Sequence, residues 1–253
     1  GKVSMGSKIL YELLSKMHIV EDNQTDNFID TYVLKASRAI SIGFINQHGC
    51  NLVVDEQRVY RSFMDLTFLL RDGIGVKMAC LKYGIKPGDN LNGTDLIPRI
   101  LDKVLGDEHN KSIVFGTKEP WLSKGVNKFF GNNNAHYLDG FRTNEEYLIF
   151  LFDYFKNDEY EEKKITVILL AMGMPKQEEL ANKIRELCID KRVIIICGGA
   201  IIDFAAGRFK RAPKFIQKIG LEWAYRLFCE PSRLFKRYAI GIPVFFYNMM
   251  TNK

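Results

Sequence analysis

The sequence predicts an α/β fold, in which a mostly parallel sheet carries helices on both faces. Three observations predict it. Short apolar runs, several of them rich in β-branched residues, recur along the chain between glycine or polar residues. Amphipathic helical patterns separate these runs. The runs are apolar throughout instead of alternating, which is typical of parallel strands buried on both faces and favours a Rossmann-like arrangement.

Five strands are predicted at the apolar runs: residues 39–45, 66–70, 112–115, 165–171 and 192–197. Helical patterns occupy residues 95–105, 119–130, 144–156 and 176–188. In the first of these helices the apolar residues recur close to every 3.6 positions, so one face can cover the sheet. A chain of 253 residues can bury one large core and carry an appendage. The first 35 residues are polar, and their structure is left without a prediction.

The C-terminal segment differs in composition from the rest of the chain. The strand pattern stops after Gly207, and we predict a core of residues 1–207 and a helical appendage of residues 208–253. The appendage has ten Lys and Arg against two Glu, a balance of +8. Because the whole chain carries +6, the first 207 residues carry −2. Positive charge confined to the appendage predicts an anionic partner for that segment alone.

The stretch "GLEWAYRLFCEPSRLFKRY", residues 220–238, interleaves aromatic with basic residues. The residues alone leave three interpretations open: helices packed on the core with a solvated face, a membrane contact, or a nucleic-acid-binding module. Trp223 and Tyr225 suit a membrane interface, where each nearby Lys or Arg contributes ~1 kcal/mol on anionic lipid. Pro231 predicts two short helices, because the residue before a proline is pushed away from helical geometry.

Composition argues against several other classes of protein. No run reaches the ~18 apolar residues of a membrane-spanning helix, since the longest candidate, residues 239–250, is short and contains Pro243. The N-terminus lacks the apolar core of a signal peptide. Five cysteines without paired spacing predict reduced, mostly buried thiols in a cytoplasmic protein. The four histidines are far apart and no D-x-D pair occurs, so we expect neither a metal nor another cofactor.

Polar residues follow the predicted strands, at the edge of the sheet where such folds bind ligands. Asn46 follows the first strand and either binds a ligand or caps the next helix. Asp72 follows the second strand and precedes Gly73 and Gly75, so it is either a general base or an N-cap. Because Met78 occupies the third glycine position, this stretch is not the fingerprint of a dinucleotide-dependent oxidoreductase.

The next two candidate sites precede helices. In "NLNGTDLI", Asn92 and Gly93 are followed by Thr94 and Asp95, one of which is predicted to be the N-cap. Gly116 and Thr117 end the third strand, where a glycine before a helix suits a phosphate group.

The last two candidate sites follow the final two strands. Gly173 makes a turn before a helix whose first turn contains Gln177 and Glu178. Glu178 is predicted to cap that helix, whereas Gln177 has less structural reason to be there. Asp203 is an acid inside an apolar stretch, so we expect it to have a buried partner.

Six stretches in order along the chain resemble one family. They are "RDGIGVK", "NGTDL", "FGTKE", "GMPKQE", "GGAIIDFAAGRFKRAP" and "GLEWAYRLFCEPSRLFKRY". Over roughly residues 40–240 this order is similar to that of the WecG/TagA/CpsF glycosyltransferases, also called glycosyltransferase family 26. The resemblance implies a bacterial, inverting, metal-independent enzyme with a Rossmann-like core and a C-terminal appendage. Such an enzyme transfers a sugar from a nucleotide diphosphate to a polyisoprenyl-diphosphate-linked sugar at the cytoplasmic face of the membrane.

The resemblance also implies roles for individual residues. Asp72 falls on the proposed catalytic base, Gln177 near the donor's phosphates, and Asp203 near its nucleotide base. The residues expected to bind the donor are Asn46, Gly73, Gly75, Asn92, Gly93, Asp95, Gly116, Thr117, Gly173, Gln177, Glu178 and Asp203. The residues expected to meet the acceptor's diphosphate or the membrane are Arg211, Arg226, Arg233 and Arg237.

The expected donor is a UDP-N-acetylhexosamine such as UDP-N-acetylmannosamine, with a UDP-hexose or UDP-uronic acid as the alternative. Two departures from the family pattern bear on the donor. Many members have Thr and Pro where this chain has Phe44 and Gln47, and many have Arg in place of Asn90. The expected partners are the UDP-sugar, the lipid-linked acceptor and an anionic membrane surface, but not nucleic acid. A homo-oligomer stays open.

Overall fold

A computed structural model describes residues 2–21, 23–131, 135–157 and 164–250. Its centre is a six-stranded, all-parallel sheet with the strand order β2-β1-β6-β5-β3-β4. The strands are β1 (Ile40–Ile45), β2 (Phe68–Arg71), β3 (Lys111–Gly116), β4 (His136–Leu138), β5 (Thr166–Ala171) and β6 (Val193–Cys197). The predicted α/β class and parallel sheet are therefore confirmed.

Helices surround the sheet and include all four predicted helical patterns. In chain order they are α1 (Lys2–Lys16), α2 (Thr25–Phe28), α3 (Gln47–Asp55), α4 (Gln57–Met64), α5 (Ile74–Lys82), α6 (Gly93–Leu105), α7 (Trp121–Phe130), α8 (Asn144–Asn157), α9 (Lys176–Leu187), α10 (Ile201–Ala205), α11 (Lys214–Lys218), α12 (Glu222–Cys229), α13 (Pro231–Phe235) and α14 (Gly241–Met250). Two π-helical turns, Ile29–Val33 and Lys236–Ile240, follow α2 and α13.

All five predicted strands are present, and β4 is the strand that the sequence did not predict. It has three residues at the edge of the sheet, and His136 and Tyr137 are exposed. Because an exposed strand of this length needs no apolar run, it leaves no hydrophobic pattern in the sequence. Its pairing with β3 places the loop 139–142 beside the end of that strand.

The core consists of two layers, one on each face of the sheet. Alternate residues of β6 enter opposite layers, with Ile195 in one and Ile194 and Ile196 in the other. Side chains of α1, α3, α4, α5, α8, α9 and α14 cover the first face. Side chains of α2, α6, α7 and α10 cover the second. Coverage on both faces explains why the strands are apolar throughout.

The two ends of the chain meet on the first face. In α1, Leu10, Leu13 and Leu14 are buried in the same layer as Phe245 and Met249 of α14. The last helix of the predicted appendage therefore shares the core. The division of the chain after residue 207 stays a prediction.

The predicted division of the appendage at Pro231 is confirmed. Glu230 has φ −135° and ψ 58°, and it separates α12 from α13. In the described ranges, no helix combines the length and the apolar character needed to cross a membrane. The cysteines are free thiols, and four of the five are buried, as predicted.

Candidate functional site

A polar cavity of about 320 Å³ lies at the carboxyl ends of the strands. Residues that follow all six strands reach it, so the sheet places them side by side although they are far apart in sequence. The predicted site residues in its wall are Asn46, Asp72, Gly93, Thr117, Gly173, Gln177, Asp203, Arg226, Arg233 and Arg237. We call this space the donor-side cavity.

A second cavity of about 360 Å³ lies between the core and the C-terminal helices. Its wall includes Ile74, Met78, Leu221, Trp223 and Phe245, and it is more apolar than the first cavity. The two cavities share the lining residues Asn46, Asp72, Thr94, Arg226 and Arg237. We call the second space the acceptor-side cavity, and Asp72 stands at the junction of the two.

Asp72 is not a helix cap. The N-cap position of α5 is Gly73, whose φ of 91° suits glycine, and no side chain caps this helix. Burial raises the pKa of Asp72 to about 6, Arg226 opposes that shift, and Glu222 adds to it. A carboxylate with a pKa near 6 is mostly ionised at pH 7 and is still basic enough to accept a proton.

The turn that carries Asp72 is held from two sides. The guanidinium of Arg71, 6% exposed, donates hydrogen bonds to the carbonyls of Gly73 (3.0 Å), Pro87 (3.1 Å) and Gly88 (2.9 Å). The side-chain oxygen of Asn90 accepts a hydrogen bond from the backbone N–H of Gly73 at 3.0 Å. Asn90, one of the departures from the family pattern, therefore supports the turn next to the candidate base.

Asn46 caps a helix, which confirms one of its two predicted roles, and its ligand binding stays a prediction. Its side-chain oxygen accepts a hydrogen bond from the N–H of Gly49 at 2.8 Å and caps α3. The same side chain lines both cavities. Capping fixes the orientation of the amide, which favours a defined contact with a ligand.

The segment before α6 corrects two sequence-based assignments. The N-cap is Asn92, which accepts a hydrogen bond from the N–H of Asp95 at 3.0 Å, and it is neither Thr94 nor Asp95. Gly93 and Thr94 line the donor-side cavity. Asp95 lies outside that wall and is paired with Arg211, whose hydrogen bond lowers the pKa of Asp95. Its position therefore gives no support to the prediction that it binds the donor.

Thr117 and Asp203 form a buried polar pair in the donor-side cavity. Thr117 Oγ1 donates a hydrogen bond to Asp203 Oδ1 at 2.7 Å, and Arg208 Nη1 donates to the same oxygen at 3.2 Å. Asp203 is 8% exposed, so the predicted need for a partner is confirmed. Gly116 is not part of the cavity wall. A Cβ at Gly116 would lie 2.2 Å from the carbonyl oxygen of Ala171, which explains the glycine by close packing of β3 against β5.

Gln177 and Glu178 are neighbours with different positions. Gln177 lines the donor-side cavity, and its Oε1 accepts a hydrogen bond from the N–H of Gly199 at 3.0 Å. Glu178 is 0% exposed, lines neither cavity and caps no helix. Burial raises the pKa of Glu178 to about 8. Both sequence-based roles of Glu178, as a cap and as a donor ligand, are therefore corrected: it is a core residue whose burial favours the protonated form.

Three arginines of the C-terminal helices converge on the donor-side cavity. Arg226 lies with its guanidinium 5.1 Å from the ring centre of Phe204, and its buried Nε has no hydrogen-bond partner among the described residues. Arg233 is paired with Glu230 at 2.7 Å. Burial lowers the pKa of Arg237, and the charges of Arg226 and Arg233 lower it further. Cations held close together in this way suit a ligand with several negative charges.

Arg211 is already engaged within the protein. Its guanidinium bonds Glu222 of α12 and Asp95 and Asn92 beside α6. It lines neither cavity. The prediction that Arg211 meets the acceptor is therefore not supported by its position.

Gly75 and Gly73 line the acceptor-side cavity and not the donor-side one, and Asn92 also lies there. The sequence had suggested that all three bind the donor. The carboxyl end of β2 therefore contributes to the acceptor side, because the C-terminal helices fold over it.

Several lining residues were not predicted. Gly198 and Gly199 follow β6, and a pair of glycines after a strand was a usable signal. Phe141 follows β4, the strand that the sequence did not predict, so no sequence signal pointed to this residue. His48 lines the acceptor-side cavity, where burial together with the charge of Arg237 lowers its pKa to about 4. Across the described ranges, no group of three His, Cys, Asp or Glu side chains is placed to hold a metal ion.

Comparison with known proteins agrees with this geometry. The description "Glycosyl transferase WecG/TagA/CpsF family" matches residues 15–253. The chain belongs to this family. The match confirms the resemblance found in the six sequence motifs and extends it to both sides of residues 40–240.

Two relatives of this chain share one name, N-acetylglucosaminyldiphosphoundecaprenol N-acetyl-beta-D-mannosaminyltransferase. The protein of Bacillus spizizenii (strain W23) is 30% identical over 171 residues, which cover 66% of this chain and 62% of the relative. The protein of Bacillus subtilis (strain 168) is 23% identical over 228 residues, which cover 88% of this chain and 85% of the relative. The match thus spans less than two thirds of the first relative's length and most of the second's.

Proposed function

We propose that this family member is an inverting, metal-independent glycosyltransferase that moves N-acetylmannosamine from UDP to a polyisoprenyl-diphosphate-linked N-acetylglucosamine. The observation that carries the proposal is the position of Asp72. One carboxylate with a pKa of about 6 stands between a polar cavity and a more apolar one, and arginines border both. This arrangement suits an inverting transfer, because the acceptor hydroxyl must reach the anomeric carbon of the donor from the face opposite the leaving UDP.

The donor-side cavity suits a UDP-sugar. Gly173 and the Gly198–Gly199 turn bring backbone close to the ligand, where no side chain interferes. Gln177 is held by its bond to Gly199 and is available at the phosphates. Thr117 and Asp203 form a rigid polar pair where the family resemblance places the nucleotide base.

The chemical step is a single displacement. The acceptor hydroxyl oxygen attacks the anomeric carbon, a new C–O bond forms, and the bond from that carbon to the UDP oxygen breaks. The hydroxyl proton passes to the Asp72 carboxylate, and UDP leaves with the bonding electron pair. Attack from the face opposite the leaving group inverts the anomeric configuration, and one base suffices.

Arginines replace a metal ion in this proposal. Arg226, Arg233 and Arg237 line the donor-side cavity, and two of them also reach the acceptor-side cavity. Guanidinium groups bind phosphate oxygens through paired hydrogen bonds and keep their charge at any physiological pH. They can stabilise the diphosphates of both substrates as charge develops on the leaving group.

The acceptor's lipid points to a peripheral position on the inner face of the cell membrane. Apolar side chains project from the C-terminal helices, among them Phe228, which is 87% exposed, and Phe235 and Tyr247. The basic residues of the same segment supply attraction to anionic lipid, ~1 kcal/mol for each residue near the surface. The acceptor-side cavity opens among these helices, so a prenyl chain can stay in the bilayer while its sugar reaches Asp72.

The donor sugar is proposed from the names of the two Bacillus relatives. Phe44 lies in the donor-side wall against Gly93 and is the departure from the family pattern closest to the donor. UDP-hexose and UDP-uronic acid are therefore the alternatives that the experiment must compare.

The test is a donor screen with purified protein and a synthetic prenyl-diphosphate-linked N-acetylglucosamine. We expect transfer from UDP-N-acetylmannosamine, a β-linked product by NMR, and full activity after treatment with EDTA. Transfer from another UDP-sugar alone would change the donor but keep the class. Absence of transfer from every nucleotide sugar, or loss of activity with EDTA that Mg²⁺ or Mn²⁺ restores, contradicts the proposal.

A further inference from the structure

Arg211 joins two walls of the site that are far apart in sequence. Its Nε donates a hydrogen bond to Glu222 Oε1 at 3.0 Å. Its Nη1 bonds Asp95 Oδ1, and its Nη2 donates to Asp95 Oδ2 at 3.1 Å and to Asn92 Oδ1 at 3.4 Å. Glu222 begins α12 in the C-terminal segment, whereas Asn92 and Asp95 belong to the N-terminal end of α6 in the core.

On the core side, the bonds of Arg211 end next to the donor-side cavity. Gly93 and Thr94, which lie between Asn92 and Asp95, line that cavity. Asn92 holds this segment independently of Arg211, because its amide caps α6 and its Nδ2 also donates to Asp95 at 2.9 Å. The hydrogen bonds of Asn92 therefore still hold this part of the donor-side cavity wall when Arg211 is removed.

On the C-terminal side, the position of α12 depends on the hydrogen bond from Arg211 to Glu222 more strongly than the core side depends on Arg211. Neither α11 nor α12 contains a fully buried residue, so packing alone holds these helices weakly. Glu222 precedes Arg226 by four residues, one helical turn, so fixing Glu222 fixes the direction from which Arg226 reaches the two cavities. Arg226 also bears on the pKa of Asp72, which it lowers.

We propose that Arg211 is a positioning residue that ties α12 to α6 and thereby holds Arg226 beside Asp72 on the acceptor side. This inference rests on the proposed function, because it assigns Arg226 to the acceptor's diphosphate. The guanidinium fork is required, since three separate acceptors on two elements are bonded from one side chain. Lysine keeps the charge but offers a single nitrogen, so it can serve one of the two elements well but not both.

The test compares Arg211→Ala and Arg211→Lys with Lys210→Ala in the full-length protein. Lys210 is the exposed neighbouring residue, so its removal takes away the same charge without breaking the tie. We expect Arg211→Ala to lower kcat/KM for the lipid-linked acceptor about 10–100-fold, in keeping with the loss of hydrogen bonds to charged groups. The dissociation constant for UDP, measured by calorimetry, should change less than about threefold, and Arg211→Lys should recover part of the loss.

Hydrogen exchange supplies a readout that does not depend on activity. Backbone amides of residues 222–229 should exchange faster in Arg211→Ala than in the wild type, and Lys210→Ala should match the wild type. Glu222→Gln weakens one arm of the tie without creating a cavity, and its effect should not add to that of Arg211→Ala. It also keeps the inference testable if Arg211→Ala fails to fold.

The inference is overturned by unchanged exchange at 222–229, by additive effects of the two substitutions, or by an equal loss of UDP and acceptor binding. Its failure is distinguishable from failure of the proposed function. A wild-type protein that neither binds UDP nor transfers sugar contradicts the proposed function. Faster amide exchange at residues 222–229 in Arg211→Ala shows that Arg211 restrains α12, whether or not the protein transfers sugar.

Discussion

Replacing Asp72 by Asn tests the centre of the proposed mechanism. Asn keeps the size of the side chain and removes its ability to accept a proton. General-base catalysis contributes typically ~10²–10⁴-fold, which corresponds to about 3–5 kcal/mol of activation free energy. We therefore expect kcat to fall by that factor, while the dissociation constant for UDP stays within a few-fold of the wild type.

The pKa of Asp72 adds a second expectation. With a pKa of about 6, the carboxylate is about nine-tenths ionised at pH 7 and about one-tenth ionised at pH 5. The base is the ionised form, so kcat/KM of the wild type, which reports the pKa values of the free enzyme, should fall with pH through 6 and by about tenfold for each unit below it. The residual rate of the Asn variant should show no such step, because its side chain does not titrate.

The assay follows transfer of labelled sugar to the synthetic acceptor between pH 5 and 8. It gives kcat at saturating donor and acceptor, and kcat/KM at low acceptor concentration. Asp102→Asn is the matched control, since it neutralises an exposed acid on α6 that lines neither cavity. Half or more of the wild-type kcat in Asp72→Asn at pH 7, or a flat wild-type profile from pH 5 to 7, would refute the assignment of the base.

Three further predictions concern the surroundings of the site. Arg226→Gln removes the charge that lowers the pKa of Asp72, so the acidic limb of the pH profile of kcat/KM should move to higher pH; a shift to lower pH would contradict this. Glu178 has a folded-state pKa raised to about 8, so stability is full below its unfolded value of about 4.5 and is lost as pH rises through 8, by up to about 1.4 kcal/mol per unit. The Tm advantage of Glu178→Gln over the wild type should therefore grow between about pH 5 and 8 and level off above pH 8, and a constant difference would argue against a protonated Glu178. Phe245→Ala should lower the free energy of unfolding by about 3–5 kcal/mol in urea, because this ring is 1% exposed, whereas Phe228→Ala on the surface should change it by less than about 0.5 kcal/mol; equal effects would show that α14 is not part of the core.

Hydrophobic pattern alone determined the class of this fold and indicated the edge of the sheet where the candidate site lies. Parallel strands buried on both faces are apolar throughout, so all strands except the exposed three-residue β4 could be read from the chain. Because parallel strands end at one edge, the polar residues after them could be predicted to converge. Asn46, Asp72, Thr117 and Gln177 do line one cavity.

Tertiary structure decided which of those residues face the cavity and which support it. Glu178 follows Gln177 directly, but the turn of α9 directs it into the core. Two of the partners of Arg211, Asn92 and Asp95, lie more than a hundred residues away, so no local pattern reports them. The physical reason is that capping and periodicity are short-range effects, whereas burial, ion pairing and the pKa of a carboxylate depend on what the rest of the chain brings next to it. Asp72 lies between two cavities only because the C-terminal helices fold back over the end of β2.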